Sequence, residues 1–199
     1  MAIIDYTIFK NHLNLVIDDK YVKDGINQAI DEYEGEYLMK ALGRTFGQLF
    51  VNGLGVTVGG GFSDGFSDGF DIGGIEERWL WLRDGYDFTL SNGTTYNYSG
   101  IKQAIAGYVY YWYRRNNATN TDATGGESAS SSENATMQTV NQKITTVWNR
   151  MSREGRIMRD LLSQAVYADG DNAGASIYPE YGWGCGKSEV FRQITPFGL

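Results

Sequence analysis

Residues 101–115 read IKQAIAGYVYYWYRR, and this stretch restricts the fold more than any other. Ile101, Ala104, Ile105, Tyr108, Tyr111 and Trp112 recur at helical spacing, which predicts a helix over about 100–115 with Ser99 as its cap. Val109, Tyr110 and Tyr113 fall on its other faces. A helix that is apolar all round has to be surrounded, by its own chain or by a neighbour. Burying an aromatic side chain stabilises by ~1.5–3 kcal/mol. Tyr108, Tyr110, Tyr111, Trp112 and Tyr113 are therefore candidate interface residues, with burial expected partly inside the subunit and partly between subunits.

A chain of 199 residues can bury one real core but not two generous ones, so a single domain over 1–199 is expected. A first long helix is predicted over 20–42 behind the acidic pair Asp18 and Asp19. Val22, Ile26, Ala29, Ile30, Tyr33, Tyr37, Ala41 and Leu42 lie at helical spacing, and Gly43 forms its stop. Thr45 to Gln48 reads as the cap of a short second helix that carries Phe46, Leu49 and Phe50 and ends at Asn52 and Gly53. Residues 86–98 alternate around Asn92 and Gly93, which predicts a two-stranded ribbon.

A last long helix is predicted over 135–167, with Ile144, Val147, Trp148, Met151, Met158, Leu161, Leu162 and Ala165 on one stripe. Gly155 sits on that stripe, where a missing side chain would let a helix approach closely. Three segments stay outside these elements: loop excursions at 53–74 and 116–134, and an irregular C-terminal arm at 168–199. Such compositions cannot support a core, so the glycine-rich loop and the 116–134 segment are expected to be loose in the isolated subunit and ordered by assembly. The fold class that follows is mainly α, a helical bundle with a small β-hairpin and long glycine-rich arms.

The glycine-rich run at 59–74, GGGFSDGFSDGFDIGG, contains G-x-S-x-G twice, around Ser63 and Ser67. A serine esterase needs that elbow on a strand-to-helix turn, followed later in the chain by its acid and then its histidine. The single histidine, His12, precedes both serines, and glycines on each side deny the nucleophile a rigid mount. The run therefore reads as a repeated loop, and no catalytic residue is assigned. Residues 184–188, GCGKS, imitate the end of a phosphate-binding loop, but Tyr181 stands where the first glycine belongs, and only 11 residues follow Ser188.

Asp64, Asp68 and Asp71, like Asp169 and Asp171, do not fit a calcium-binding loop, so no metal or other cofactor is expected. The lone Cys185 excludes an internal disulfide. No run is long and apolar enough for a membrane helix, and the first residues lack a signal-peptide layout, so a soluble, unsecreted protein without membrane contact is expected.

Charge narrows the partners further. The net charge of -7 argues against a protein that coats nucleic acid. Residues 1–42 carry four Lys against eight Asp and Glu, whereas residues 136–160 carry five Lys and Arg against two acids. An acidic and a basic element could thus meet within or between subunits. Arg150, Arg153, Arg156 and Arg159 recur every third residue and fan over the solvent side of the last helix, with DNA or acidic groups such as Asp31, Glu32, Glu34 and Glu36 as candidate partners.

The order of motifs carries a resemblance. Tyr37 to Gly43 (YLMKALG) closes an acidic helix, and a tryptophan segment leads to Leu82 to Tyr86 (LRDGY). Tyr98 to Ile105 (YSGIKQAI) opens the tyrosine-rich helix. A polar loop with Gly125, Gly126 and Glu133 to Ala135 follows, then Val147-Trp148-Asn149 and a closing Phe197-Gly198-Leu199. This layout resembles the head-to-tail connector, or neck ring, proteins of tailed bacteriophages, especially crAss-like and related Bacteroidetes phages. The loop at 59–74 lies outside the pattern.

The resemblance implies a non-enzymatic virion protein, made in the host cytoplasm, that forms a ring of about twelve copies, a dodecamer, at the portal vertex. Its partners would be the portal protein and other neck or tail proteins, with at most transient contact to DNA in the channel. A tail- or fibre-associated receptor- or partner-binding module is the alternative, and a serine hydrolase is the alternative from another class.

Overall fold

The structure, a computed structural model, describes residues 2–13, 20–55, 77–90, 92–117, 119–121, 127–129, 137–167, 173–179, 181 and 191–194. Ser63, Ser67, the carboxylates at 64, 68, 71, 169 and 171, the pair Asp18 and Asp19, and residues 184–188 with Cys185 lie outside the described residues, as does the side chain of His12. In chain order the elements are α1 (Thr7–Leu13), α2 (Lys20–Leu42), α3 (Arg44–Leu54), α4 (Glu77–Asp84), β1 (Tyr86–Leu90), β2 (Thr95–Tyr98), α5 (Ile101–Asn116), β3 (Thr119–Thr121), β4 (Glu127–Ala129), α6 (Met137–Gln164) and β5 (Ala165–Val166). The protein is mainly α, a helical bundle with a small antiparallel sheet.

The all-round apolar helix is the hub. Ile101, Ala104, Ile105, Ala106, Tyr108, Val109 and Tyr110 of α5 are buried, between α2 on one side and α6 on the other. The tight approach to α6 falls at Gly107, where an added Cβ would lie 3.1 Å from Met151 Cβ. At Gly155, the position expected to allow it, an added Cβ would meet only Phe191 and Tyr37, at 3.9 and 4.0 Å, which is ordinary contact. Helix α5 starts at Ile101 behind Gly100, which takes the cap position with φ of 89° and no side-chain cap bond, so Ser99 is not the cap.

The ribbon forms as its sequence predicts, with Tyr86 opposite Tyr98 and Phe88 opposite Tyr96. A third strand joins it. Helix α6 stops at Gln164, and Leu90 and Thr89 pair with Ala165 and Val166, so the expected helix to residue 167 turns into β5. The chain then returns: Ile177 N–H donates to Ala165 O, and Ile177 and Tyr178 are buried in the core. Residues 173–178, expected as part of an irregular C-terminal arm, consequently join the core through Ile177 and Tyr178. Within the polar excursion, β3 and β4 pair antiparallel and satisfy their backbone groups locally, where the sequence reads only as loop.

Helix α3 is capped by Gly43 without a side-chain bond, in place of the expected cap from Thr45, and runs on to Leu54 before Gly55 closes it in the left-handed conformation. Gly53 is thus helical, not the first residue of the expected loop excursion. The segment around Trp79 and Trp81 is helix α4. Trp79 packs edge-on against Phe46 and Phe50 and lies beside Tyr178, whose hydroxyl donates to Arg78 O at 2.7 Å.

Glu34 departs most from its sequence reading. It is 1% exposed, and Ile4 N–H donates to its Oε1 at 2.9 Å, so it fastens the N-terminal segment to α2 and cannot serve as a surface acid. Burial pushes its pKa up to about 7, against the backbone N–H groups of Ile4 and Ile3, which lower it, and with Asp31 raising it further. The folded chain thus binds this proton more tightly than the unfolded chain does. Stability is expected to be highest below the unfolded value and to fall as pH rises through about 5 to 8, by up to roughly 3 kcal/mol. Glu34→Gln keeps an acceptor for Ile4 and removes the ionisation. Urea unfolding across that window should show a falling profile for the parent and a flatter one for the variant; a parent whose stability rises with pH there would contradict the assignment.

Candidate functional site

The candidate interface residues separate along α5. Tyr108 and Tyr110 are 1% and 2% exposed within a single chain, so they belong to its own core and offer a neighbour almost no surface. Tyr111, Trp112 and Tyr113, half a turn to a turn further on, are only half-buried. Trp112 stacks on Tyr33 of α2 at 5.8 Å, and Tyr111 lies 4.3 Å from Trp148 of α6. Three helices thus contribute to one aromatic band that reaches the surface.

Polar groups edge the band. Arg115 donates to Tyr111 Oη at 3.0 Å and lies over the Trp112 ring, and Asn116 donates to Tyr33 Oη at 2.8 Å. Lys40 donates to Tyr108 Oη at 3.2 Å and pairs with Glu36 at 2.6 Å, and this bond to Glu36 pushes the lysine pKa up. Burial raises the Tyr108 hydroxyl pKa while Lys40 opposes the rise, so the phenol stays protonated and donates or accepts as a neutral group.

The arginines fan over more than one face of α6, Arg150 on the side of Gln103 and Gly107, Arg156 and Arg159 on the side of Ala41 and Phe191. Arg150, Arg153 and Arg156 are exposed and Arg159 is half-buried. Arg150 donates to Gln103 Oε1 of α5 at 2.8 Å, and Arg153 sits 3.8 Å from the largely buried Glu154. Of the acids expected as partners, Asp31 and Glu32 are exposed, Glu36 is engaged by Lys40, and Glu34 is withdrawn into the core.

The sequence alone does not show the part of the site that joins these features. Residues 191–194 run along α6 and are held by its side chains. Trp148 Nε1 donates to Arg192 O at 2.8 Å, and Ser152 Oγ donates to Phe191 O. Asn149 grips Ile194 from both sides: its Nδ2 donates to Ile194 O at 2.9 Å, and its Oδ1 accepts from Ile194 N–H at 2.8 Å. Phe191 is the anchor, stacked on Tyr37 at 5.4 Å, edge-on to Trp148 at 5.9 Å and 5.7 Å from Tyr108.

Trp148 was legible as a stripe residue, but its partner lies 44 positions away, and no local signal marks Asn149, Ser152 and Phe191 as a set. Among the described residues no group of three or more His, Cys, Asp or Glu could hold a metal ion, and no helix is long and apolar enough to cross a membrane. What the described arrangement can do chemically is grip an extended main chain and offer aromatic and cationic surface to a partner. No protein-family model, curated protein or solved structure gives a significant match to the chain.

Proposed function

We propose that the protein is a structural subunit of a tailed-phage virion, forming a closed homo-oligomeric ring in the neck between portal and tail, where it extends the DNA channel and docks tail components. The observation that carries this reading is the aromatic band of Tyr33, Tyr111, Trp112 and Trp148, left partly exposed and edged by Arg115. Aromatic and arginine side chains are the types enriched at protein interfaces, and such a band gains most when a neighbour covers it. The order of motifs from Tyr37 to Leu199 supplies the phage context, and the acidic net charge suits a channel through which DNA slides. In this reading the arginines of α6 meet Asp31 and Glu32 of an adjacent copy as their acidic counterpart.

Electron microscopy and sedimentation of the purified protein test the reading: rings of about twelve copies are expected, whereas a monomer or trimer that binds a glycan or a tail protein would favour the receptor- or partner-binding module. Arg153→Glu with Arg156→Glu is expected to impair ring formation, and adding Asp31→Lys with Glu32→Lys should restore part of it. Normal rings from the charge-reversed protein, with only DNA ejection altered, would place the arginines on the channel side.

A further inference from the structure

We propose that the α6 seat for residues 191–194 is an exchange site, filled in the assembled protein by the same segment of an adjacent copy. The inference rests on the self-assembly proposed above and names the contact that would close it. Three observations carry it. First, every hydrogen bond that holds the main chain of the segment among the described residues comes from a side chain of α6, namely Trp148, Asn149 and Ser152, and none from another strand or turn. A second copy of the segment can therefore take the same bonds without breaking a ladder.

Second, the socket under Phe191 needs an occupant. Tyr37, Tyr108 and Trp148 surround the ring, and α6 carries Gly155 at the floor, so an empty socket would expose aromatic surface. Phe191 of either copy fills it equally well. Third, nine residues separate Tyr181 from Phe191, among them Gly182, Gly184 and Gly186. A chain of that length can span up to roughly 30 Å, which sets the reach available for exchange. Exchange of an identical element is a low-cost route to association, because the contacts already exist in the single chain.

The test places the photoreactive amino acid p-benzoylphenylalanine at Phe191 and mixes that protein with a wild-type copy carrying a larger tag, at concentrations spanning assembly. Light is expected to join the two species into a product of their summed mass, cross-linked at Trp148, Tyr108 or Tyr37, and Asn149→Asp in the tagged copy should reduce it. Intrachain products alone, within particles that sediment as rings, would overturn exchange and leave the ring standing. Cross-chain products in dimers that form no ring would support exchange and overturn the ring. Monomers that give only intrachain product would overturn both. The reciprocal mixture, with the photoreactive residue at Trp148, gives the same reading from the socket side if the first variant fails to fold.

Discussion

Gly100→Ala and Gly85→Ala are each expected to lose about 3 kcal/mol of stability or more, or to fail to fold. The two glycines stand where the end of α4 crosses the exit of β2. Gly85 has φ of +104°, and a Cβ there would lie 2.4 Å from Tyr98 O; Gly100 has φ of +89°, and its Cβ would lie 2.5 Å from Asp84 C and 2.6 Å from Arg83 O. All of these neighbours are backbone, so no side chain can turn aside. A left-handed conformation costs an L-residue roughly 1–2 kcal/mol, and overpacking adds about 1–3.

Gly93→Ala separates the two effects. Its φ is +82° with nothing within 4 Å of the added Cβ, so it should show the conformational cost alone. Urea unfolding of the three variants provides the comparison. If Gly100→Ala and Gly93→Ala lose the same stability, the close crossing of the two backbones is refuted.

That crossing also marks how far the sequence could be read. The Asn92 and Gly93 turn, the stripe on α6 and the all-round apolar α5 are local patterns, and local patterns of period 2 or 3.6 survive folding unchanged. Gly85 and Gly100 carry the same letter as the glycines at 59–74, yet their role depends on a backbone brought alongside by the hairpin. A sequence window shows no such neighbour. Glu34 fails for a related reason: it lies among Asp31, Glu32 and Glu36 on one helix and looks solvated, and only the N-terminal segment folding back onto α2 turns it inward. Residues 173–178 look like tail because glycine and alanine surround them, whereas Tyr178 reaches Arg78, 100 positions earlier.

The candidate site divides in the same way. Periodicity located the aromatic helix but could not tell which tyrosines the chain would bury itself, so Tyr108 and Tyr110 left the surface while Tyr111, Trp112 and Tyr113 stayed near it. The grip of Asn149 on Ile194 spans 45 positions and involves main-chain atoms that every residue has, so residue type carried no trace of it. The proposed function accordingly rests on a surface whose members were visible in sequence, and the proposed exchange on a seat that was not.

The second large effect is expected at Gly53, and here the obstacle is a side chain, which makes it separable. A Cβ on Gly53 would fall 2.3 Å from Trp79 Cδ1 and Nε1 and 2.8 Å from Cε2. Trp79 is buried among Phe46, Phe50 and Tyr178 and cannot retreat without moving all three. Gly53→Ala should therefore lose stability at the upper end of overpacking, about 3 kcal/mol. The indole N–H of Trp79 has no hydrogen-bond partner among the described residues, so Trp79→Phe gives up volume but no hydrogen bond.

In the double variant the smaller ring should make room for the new methyl group. The combined loss is then expected to be smaller than the sum of the single losses by at least about 1 kcal/mol, the size of coupling found between touching residues. Urea unfolding of the four proteins measures that coupling. Strict additivity would mean that the methyl group and the indole do not compete for the same space, and that α3 and α4 pack otherwise than through Gly53 and Trp79.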